Sequence, residues 1–115
     1  MDPTKLETRR FKGFTVTEVT KQSNLVTTEL TAEPNVHIPK HHHPKRQKAY
    51  YVLSGLCEVF AGGHLILLNV GGSLEIPAGM VHAISIHGEG VCLLVAFTEP
   101  NDETIWEGEK PERIN

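Results

Sequence analysis

The sequence lacks long apolar runs, a marked excess of either charge, and more than two cysteines. No apolar stretch approaches the roughly 20 residues that a membrane-spanning helix requires, and residues 1–12 are polar and charged, unlike a secretion signal. The net charge is −3, with acidic and basic residues interspersed, so no cationic surface marks a nucleic-acid or anionic-membrane binder. We therefore expect a cytoplasmic protein with a small-molecule or protein partner, and neither nucleic acid nor membrane.

The two cysteines match buried free thiols better than a disulfide framework. Cys57 and Cys92 each lie within an apolar run and lack Cys-x-x-Cys spacing, which is typical of buried free thiols and favours a reducing compartment. A chain of 115 residues has room for one domain, which we place over residues 1–115.

Helical periodicity is also missing, since no apolar stripe at helical spacing is longer than two turns. Short segments rich in Thr, Val, Ile and Leu instead alternate with glycine clusters, which predicts an all-β sandwich or barrel. The turns are predicted at Ser54-Gly55, Gly62-Gly63, Gly71-Gly72 and Gly88-Glu89-Gly90. The predicted strands are Phe14–Thr20, Leu25–Ala32, Asn35–Ile38, Ala49–Leu53, Leu56–Phe60, His64–Leu68, Ser73–Ile76, His82–Ile86 and Val91–Phe97.

The segment from Glu99 to Asn115 differs in character from the predicted strands, because it is polar and contains two prolines and the single tryptophan. We interpret it as a C-terminal surface arm that docks through Ile105 and Trp106.

Three histidines form a candidate metal site. His41 and His43 are two residues apart, so on a strand both rings face the same side, while His42 faces the other. His82 follows a Pro-x-Gly turn at the start of another predicted strand. Three neutral imidazoles are a sufficient ligand set for an open transition-metal site.

The motifs resemble a known family. Roughly residues 36–87 are similar to the two conserved motifs of the cupin superfamily. The matching patterns are His41-x-His43, Tyr51-Val52-Leu53-x-Gly55 and Gly71-x5-Pro77-x-Gly79-x2-His82. The resemblance implies a small single-domain β-barrel of the RmlC-like jelly-roll type, also called a double-stranded β-helix. It further implies a metal at the barrel centre and, frequently, a homodimer.

The chain departs from the family pattern at Lys48, where the family usually carries a glutamate ligand, and at Gly72 and Ile86, where it often carries aspartate and asparagine. A charged ammonium group is repelled by a divalent ion, so Lys48 cannot be a charged ligand. Three arrangements follow: a three-histidine site with more open positions, a site in which Gln47 is the fourth ligand, or a metal-free pocket. We favour the first.

Lys48 and Tyr50 are the candidate catalytic residues. Lys48 would pair with an anionic group of the substrate and act as an acid or base. Tyr50 shares the parity of Lys48 and Val52, so its phenol would face the interior and either orient a substrate, act as an acid, or pack in the core with its hydroxyl hydrogen-bonded.

The sequence therefore predicts a metal-dependent cupin enzyme acting on a small oxygenated substrate. The resemblance to cupins implies dioxygenase, lyase, cyclase or isomerase chemistry and does not choose among them. The divalent ion is Fe, Mn, Ni, Zn, Co or Cu, all of which imidazole binds. The alternatives are a non-catalytic cupin that binds a sugar or another small molecule, and a metal-independent sugar isomerase or epimerase with His82 and Tyr50 as its acid/base pair.

Overall fold

The computed structural model describes residues 6–99 and 103–114, and every regular element within them is a β-strand. This confirms the all-β prediction, which was based on the β-branched composition and the alternation of apolar and polar residues. The strands are β1 (Thr8–Phe11), β2 (Phe14–Lys21), β3 (Leu25–Ala32), β4 (His37–His42), β5 (Lys48–Ala61), β6 (His64–Leu68), β7 (Ser73–Ile76), β8 (His82–Thr98) and β9 (Ile105–Trp106).

Strand β8 organises the sheet, in which all pairings are antiparallel. The order runs β1-β2-β3-β8-β4-β9, and β5 pairs with β8 along nearly its whole length. β3 pairs with the C-terminal half of β8 and β4 with its N-terminal half, while β6 and β7 lie on β5. The start of β8, where His82 lies, is thereby placed beside the end of β4.

The core lies between the inward faces of the long strands. Cys57, Val59, Leu93 and Val95 are each at most 2% exposed, and residues between them on the same strands point outward. The alternation follows from the period of the strand, which sends successive side chains to opposite faces. Tyr50 and Lys48 continue the inward face of β5 toward the histidines.

Two predicted turns are wrong. The structure has continuous strands β5 and β8 where Ser54-Gly55 and Gly88-Glu89-Gly90 were expected to reverse the chain. Gly55 has a φ of 86° at a register shift, and a Cβ there would overlap the carbonyl oxygen of Gly90. These glycines therefore bend two paired strands at a bulge. The Gly62-Gly63 hairpin is confirmed, with positive φ at both residues and Ala61 paired to His64.

Two short strands were not predicted. β1 contains two arginines and lacks the apolar alternation of a buried strand; it pairs with β2, and its Phe11 also forms a bridge with Arg113. β9 has two residues, and it forms because Ile105 and Trp106 pair with the end of β4. The described residues contain no helix long and apolar enough to cross a membrane.

Candidate metal centre

Strands β4 and β8 bring the three predicted histidines together. His41 and His82 are direct partners in the β4–β8 pairing, and His43 follows the end of β4. The register shifts between Ile38 and His41, where Pro39 offers no amide donor to the ladder. One candidate ligand atom from each histidine lies within 4.8 Å of the others, and all three residues are at most 5% exposed.

Backbone carbonyl groups orient the three rings. Nδ1 of His41 donates to the carbonyl oxygen of Pro39 at 2.8 Å, and Nδ1 of His82 donates to that of Met80 at 2.9 Å. Nδ1 of His43 lies 3.3 Å from the carbonyl oxygen of Glu103. Because a carbonyl only accepts, each Nδ1 carries the proton and each Nε2 keeps a free electron pair. This tautomer is the one that binds a metal through Nε2.

Two of the three Nε2 atoms have no hydrogen-bond partner in the described part of the chain. Nε2 of His43 and Nε2 of His82 are buried and have no hydrogen-bond partner among the described residues. Buried polar atoms without partners are rare in folded proteins and point to a missing ligand. The donor set thus fits a divalent transition metal, which binds neutral imidazole nitrogen.

Burial keeps these imidazoles neutral. It lowers the pKa of His41 to about 3 and that of His43 to about 2, and it also lowers the pKa of His82 well below its usual value. The charge of Lys48 is the next largest cause at each of the three rings. Neutral rings are the form that ligates a metal, so no proton has to be removed at neutral pH.

Lys48 lies beside Nε2 of His41, the remaining nitrogen of the three. Its Nζ lies 3.3 Å from Nε2 of His41, and the residue is 5% exposed. Burial, followed by repulsion from Arg46, holds the pKa of Lys48 well below its usual value. Nζ also lies 4.9 Å from the centre of the Tyr50 ring and 5.3 Å from that of Phe97. The structure therefore places this candidate residue in contact with the histidine cluster.

Gln47 is placed differently from the other candidates. It is exposed between buried Arg46 and Lys48, so the alternation of the strand directs its side chain away from theirs. Its backbone amide donates to Oγ1 of Thr98 at 3.0 Å. The structure does not bring Gln47 to the histidines.

Tyr50 lies on the interior face, as its parity with Lys48 and Val52 predicted. Its ring centre is 6.3 Å from that of His82, and the residue is 1% exposed. The expected hydrogen bond of a core tyrosine is absent, because its hydroxyl has no partner among the described residues. Burial raises the pKa of this phenol well above its usual value, so the hydroxyl keeps its proton and is a donor.

The C-terminal arm contacts all three residues of the histidine run. Oγ1 of Thr104 lies 3.2 Å from Nδ1 of His43, the ring of Trp106 lies 4.8 Å from that of His41, and Oε2 of Glu107 lies 3.3 Å from Nδ1 of His42. The sequence indicated docking through Ile105 and Trp106 but not that the arm would hold a candidate ligand. No local pattern around Thr104 signals a contact across 61 residues.

Sequence reasoning also missed Arg46. It is 7% exposed, and its Cζ lies 4.1 Å from the centre of the Phe97 ring. The parity argument applied to Lys48 and Tyr50 would have placed Arg46 on the same side. It lines a cavity of about 70 Å³ whose walls include His41, His43, Lys48 and Tyr50.

Comparison with known proteins agrees with this architecture. A family model described as the cupin domain matches residues 28–98, and the chain belongs to this family. No curated protein sequence is significantly similar to it.

Solved structures show the same fold at low sequence identity. An RmlC-like cupin from Shewanella frigidimarina has a TM-score of 0.75 and 19% identity, over 85% of this chain and 86% of that one. Oxalate decarboxylase from Bacillus subtilis has a TM-score of 0.76 and 23% identity, over 89% of this chain but 30% of its own. DMSP lyase DddQ from Ruegeria pomeroyi has a TM-score of 0.71 and 24% identity, over 76% of this chain and 47% of its own.

Proposed function

We propose that this cupin binds one divalent transition metal through His41, His43 and His82 and uses it on a small oxygenated substrate. The observation that carries the proposal is the orientation of the rings. Each Nδ1 is held by a backbone carbonyl, so the Nε2 atoms point to a common centre, where two of them lack a partner. Orienting a ligand through its second nitrogen is the usual construction of histidine metal sites.

The bound ion would supply Lewis-acid or oxygen-activating chemistry at its open positions. The protein residues have separate roles. The protonated hydroxyl of Tyr50 donates to a substrate oxygen, because it is buried beside the site without a protein acceptor. Lys48 donates to, or takes a proton from, a second substrate group. Oxalate decarboxylase and DMSP lyase share the fold, and dioxygenase, lyase, cyclase or isomerase chemistry is compatible with this arrangement.

The metal content of the purified protein tests the proposal. Untagged wild type is prepared without a metal-affinity column and analysed by plasma mass spectrometry, which also identifies the ion. We expect near-stoichiometric metal in wild type, loss of it in His82→Ala, and retention in His64→Ala, whose histidine is exposed. Metal-free wild type that also fails to take up added Fe, Mn, Ni, Zn, Co or Cu ions would overturn the proposal.

One observation favours a second candidate, a metal-independent cupin. Lys48 already donates to Nε2 of His41, so one of the three ligand positions is occupied by a protein group. His82 and Tyr50 would then be the acid/base pair of an isomerase or epimerase, or the pocket would bind a small molecule without turnover. Ligand binding or activity that survives exhaustive chelation would select this candidate.

We also propose that the protein is a homodimer. Leu65 and Leu67 are 67% and 62% exposed on one face of β6, and among the described residues β6 pairs only with β5. An apolar edge strand of this kind favours association with a second copy. Light scattering after size exclusion should give twice the mass of 12.7 kDa for wild type and the monomer mass for Leu65→Glu with Leu67→Glu.

A further inference from the structure

In the part of the chain that the structure describes, the buried charged side chains are cationic. Among the described residues, histidines aside, Arg46 and Lys48 are the buried charged residues, at 7% and 5% exposed, and no aspartate or glutamate is buried. Both side chains line the cavity beside the histidines. The guanidinium of Arg46 stays protonated whatever the state of Lys48, so positive charge is fixed in this region.

Arg46 and Lys48 line the same cavity. Both approach the ring of Phe97, Arg46 at 4.1 Å and Lys48 at 5.3 Å from its centre. Arg9 lines the cavity as well, whereas no carboxylate side chain of the described residues does so. An anion bound next to both groups would be attracted by the fixed charge of Arg46 and would accept hydrogen bonds from both side chains.

Acidic groups line a second cavity that also includes Arg46. Glu7, Glu18 and Glu103 line an adjoining cavity that shares Arg9 and Arg46 with the first one. In a competing arrangement these glutamates neutralise the arginines and the histidine cavity takes a neutral ligand. The two arrangements predict different ligand preferences.

The remaining walls restrict the size and polarity of the ligand. The cavity has a volume of about 70 Å³, and apolar side chains such as Ile38, Val95, Phe97 and Trp106 form much of its surface. Such walls favour a compact organic group over a hydrated inorganic ion, because they offer it few hydrogen bonds.

We propose that the cavity selects a small organic carboxylate, which Arg46 and Lys48 bind at its charged end while its apolar part contacts Phe97 and Trp106. Its assignment as the substrate rests on the proposed function, whereas the binding itself requires no metal. In this scheme the lysine that replaces the family's glutamate is a determinant of substrate charge.

Metal-free protein tests the proposal with two matched probes, acetate and its neutral isostere acetamide. The chain has one tryptophan, so its indole N–H gives one NMR cross-peak, and Trp106 lines the cavity. We expect acetate to shift this peak saturably and acetamide to bind about tenfold more weakly or worse, at constant pH and ionic strength.

Charge-removing variants locate the binding. Lys48→Met and Arg46→Met should each weaken acetate binding about tenfold or more, since each removes a hydrogen-bond donor from the cavity. Lys45→Met, which makes the same change at an exposed neighbour, should alter it by less than about twofold. If one variant at the cavity fails to fold, the other decides.

Several outcomes would overturn the inference: equal binding of acetamide and acetate, no loss in the cavity variants, or an equal loss in Lys45→Met. The inference and the proposed function fail separately. If the protein binds acetate but takes up no metal, the anion site is supported and the proposed metal function is wrong. If the protein takes up metal but does not bind acetate, the metal function is supported and the anion site is wrong.

Discussion

Nζ of Lys48 donates to Nε2 of His41 across 3.3 Å, at the atom through which this imidazole would ligate a metal. A carboxylate occupies the corresponding position in the family pattern. The lysine and a metal would therefore compete for one nitrogen, and the balance between them would determine how tightly an ion is held.

Replacing Lys48 with glutamate should increase metal affinity. The change removes the competing donor and the nearby positive charge, and it adds a fourth ligand, so we expect Lys48→Glu to bind Zn²⁺ at least about tenfold more tightly. Competition against a chromogenic chelator measures the affinity. Lys45→Glu makes the same change of charge at an exposed site. If both variants gain equally, the effect is one of net charge and the competition is refuted.

The hydroxyl of Tyr50 should contribute nothing to stability. It is buried without a partner, so Tyr50→Phe removes an unsatisfied group, and the free energy of unfolding should stay unchanged or rise by about 1 kcal/mol. Thr28→Val is the comparison, because that buried hydroxyl donates to the carbonyl oxygen of Val95 at 3.3 Å and its removal should cost about 1 kcal/mol. Urea denaturation measures both. A Tyr50→Phe loss as large as that of Thr28→Val would mean that the hydroxyl is bonded in solution.

The hydroxyl of Thr104 should matter for metal binding. It lies 3.2 Å from Nδ1 of His43 and, with the carbonyl of Glu103, holds that ring in place. Thr104→Val should weaken Zn²⁺ binding about tenfold with little change in the unfolding midpoint. Thr20→Val, at an exposed threonine of β2, serves as the control. Unchanged affinity in Thr104→Val would show that the arm covers the site without orienting it.

The buried thiol of Cys57 should make the fold sensitive to alkaline pH. Burial raises the pKa of Cys57 from 9.0 to about 11, so between these values the unfolded chain releases a proton that the folded chain retains. Since the unfolded state then binds fewer protons, the free energy of unfolding falls as pH rises. From pH 9 to 10.5 wild type should lose about 1.5 kcal/mol more than Cys57→Ala. Equal losses in urea denaturation would contradict the shift.

The sequence was sufficient for the fold class and for the convergence of the histidines, because both follow from strand parity. His41 and His43 share a face by spacing alone, and the Pro-x-Gly turn places His82 at the start of a strand. Gly55 was misread as a turn, since the sequence does not distinguish a glycine that reverses a chain from one that bends a paired strand. Thr104 and the arm were beyond local reasoning, because their contacts with the histidines join residues about 60 positions apart.

Gly55 and Gly90 approach closely where β5 crosses β8, and this crossing is separate from the side chains that line the cavity. The bend of β5 against β8 depends on the absence of side chains at this crossing, while the cavity depends on side chains nearer the ends of those strands. Residues such as Lys48 can therefore be exchanged without altering the curvature of the barrel. Substitutions in the cavity can therefore change its chemistry while the glycines that bend the strands are kept.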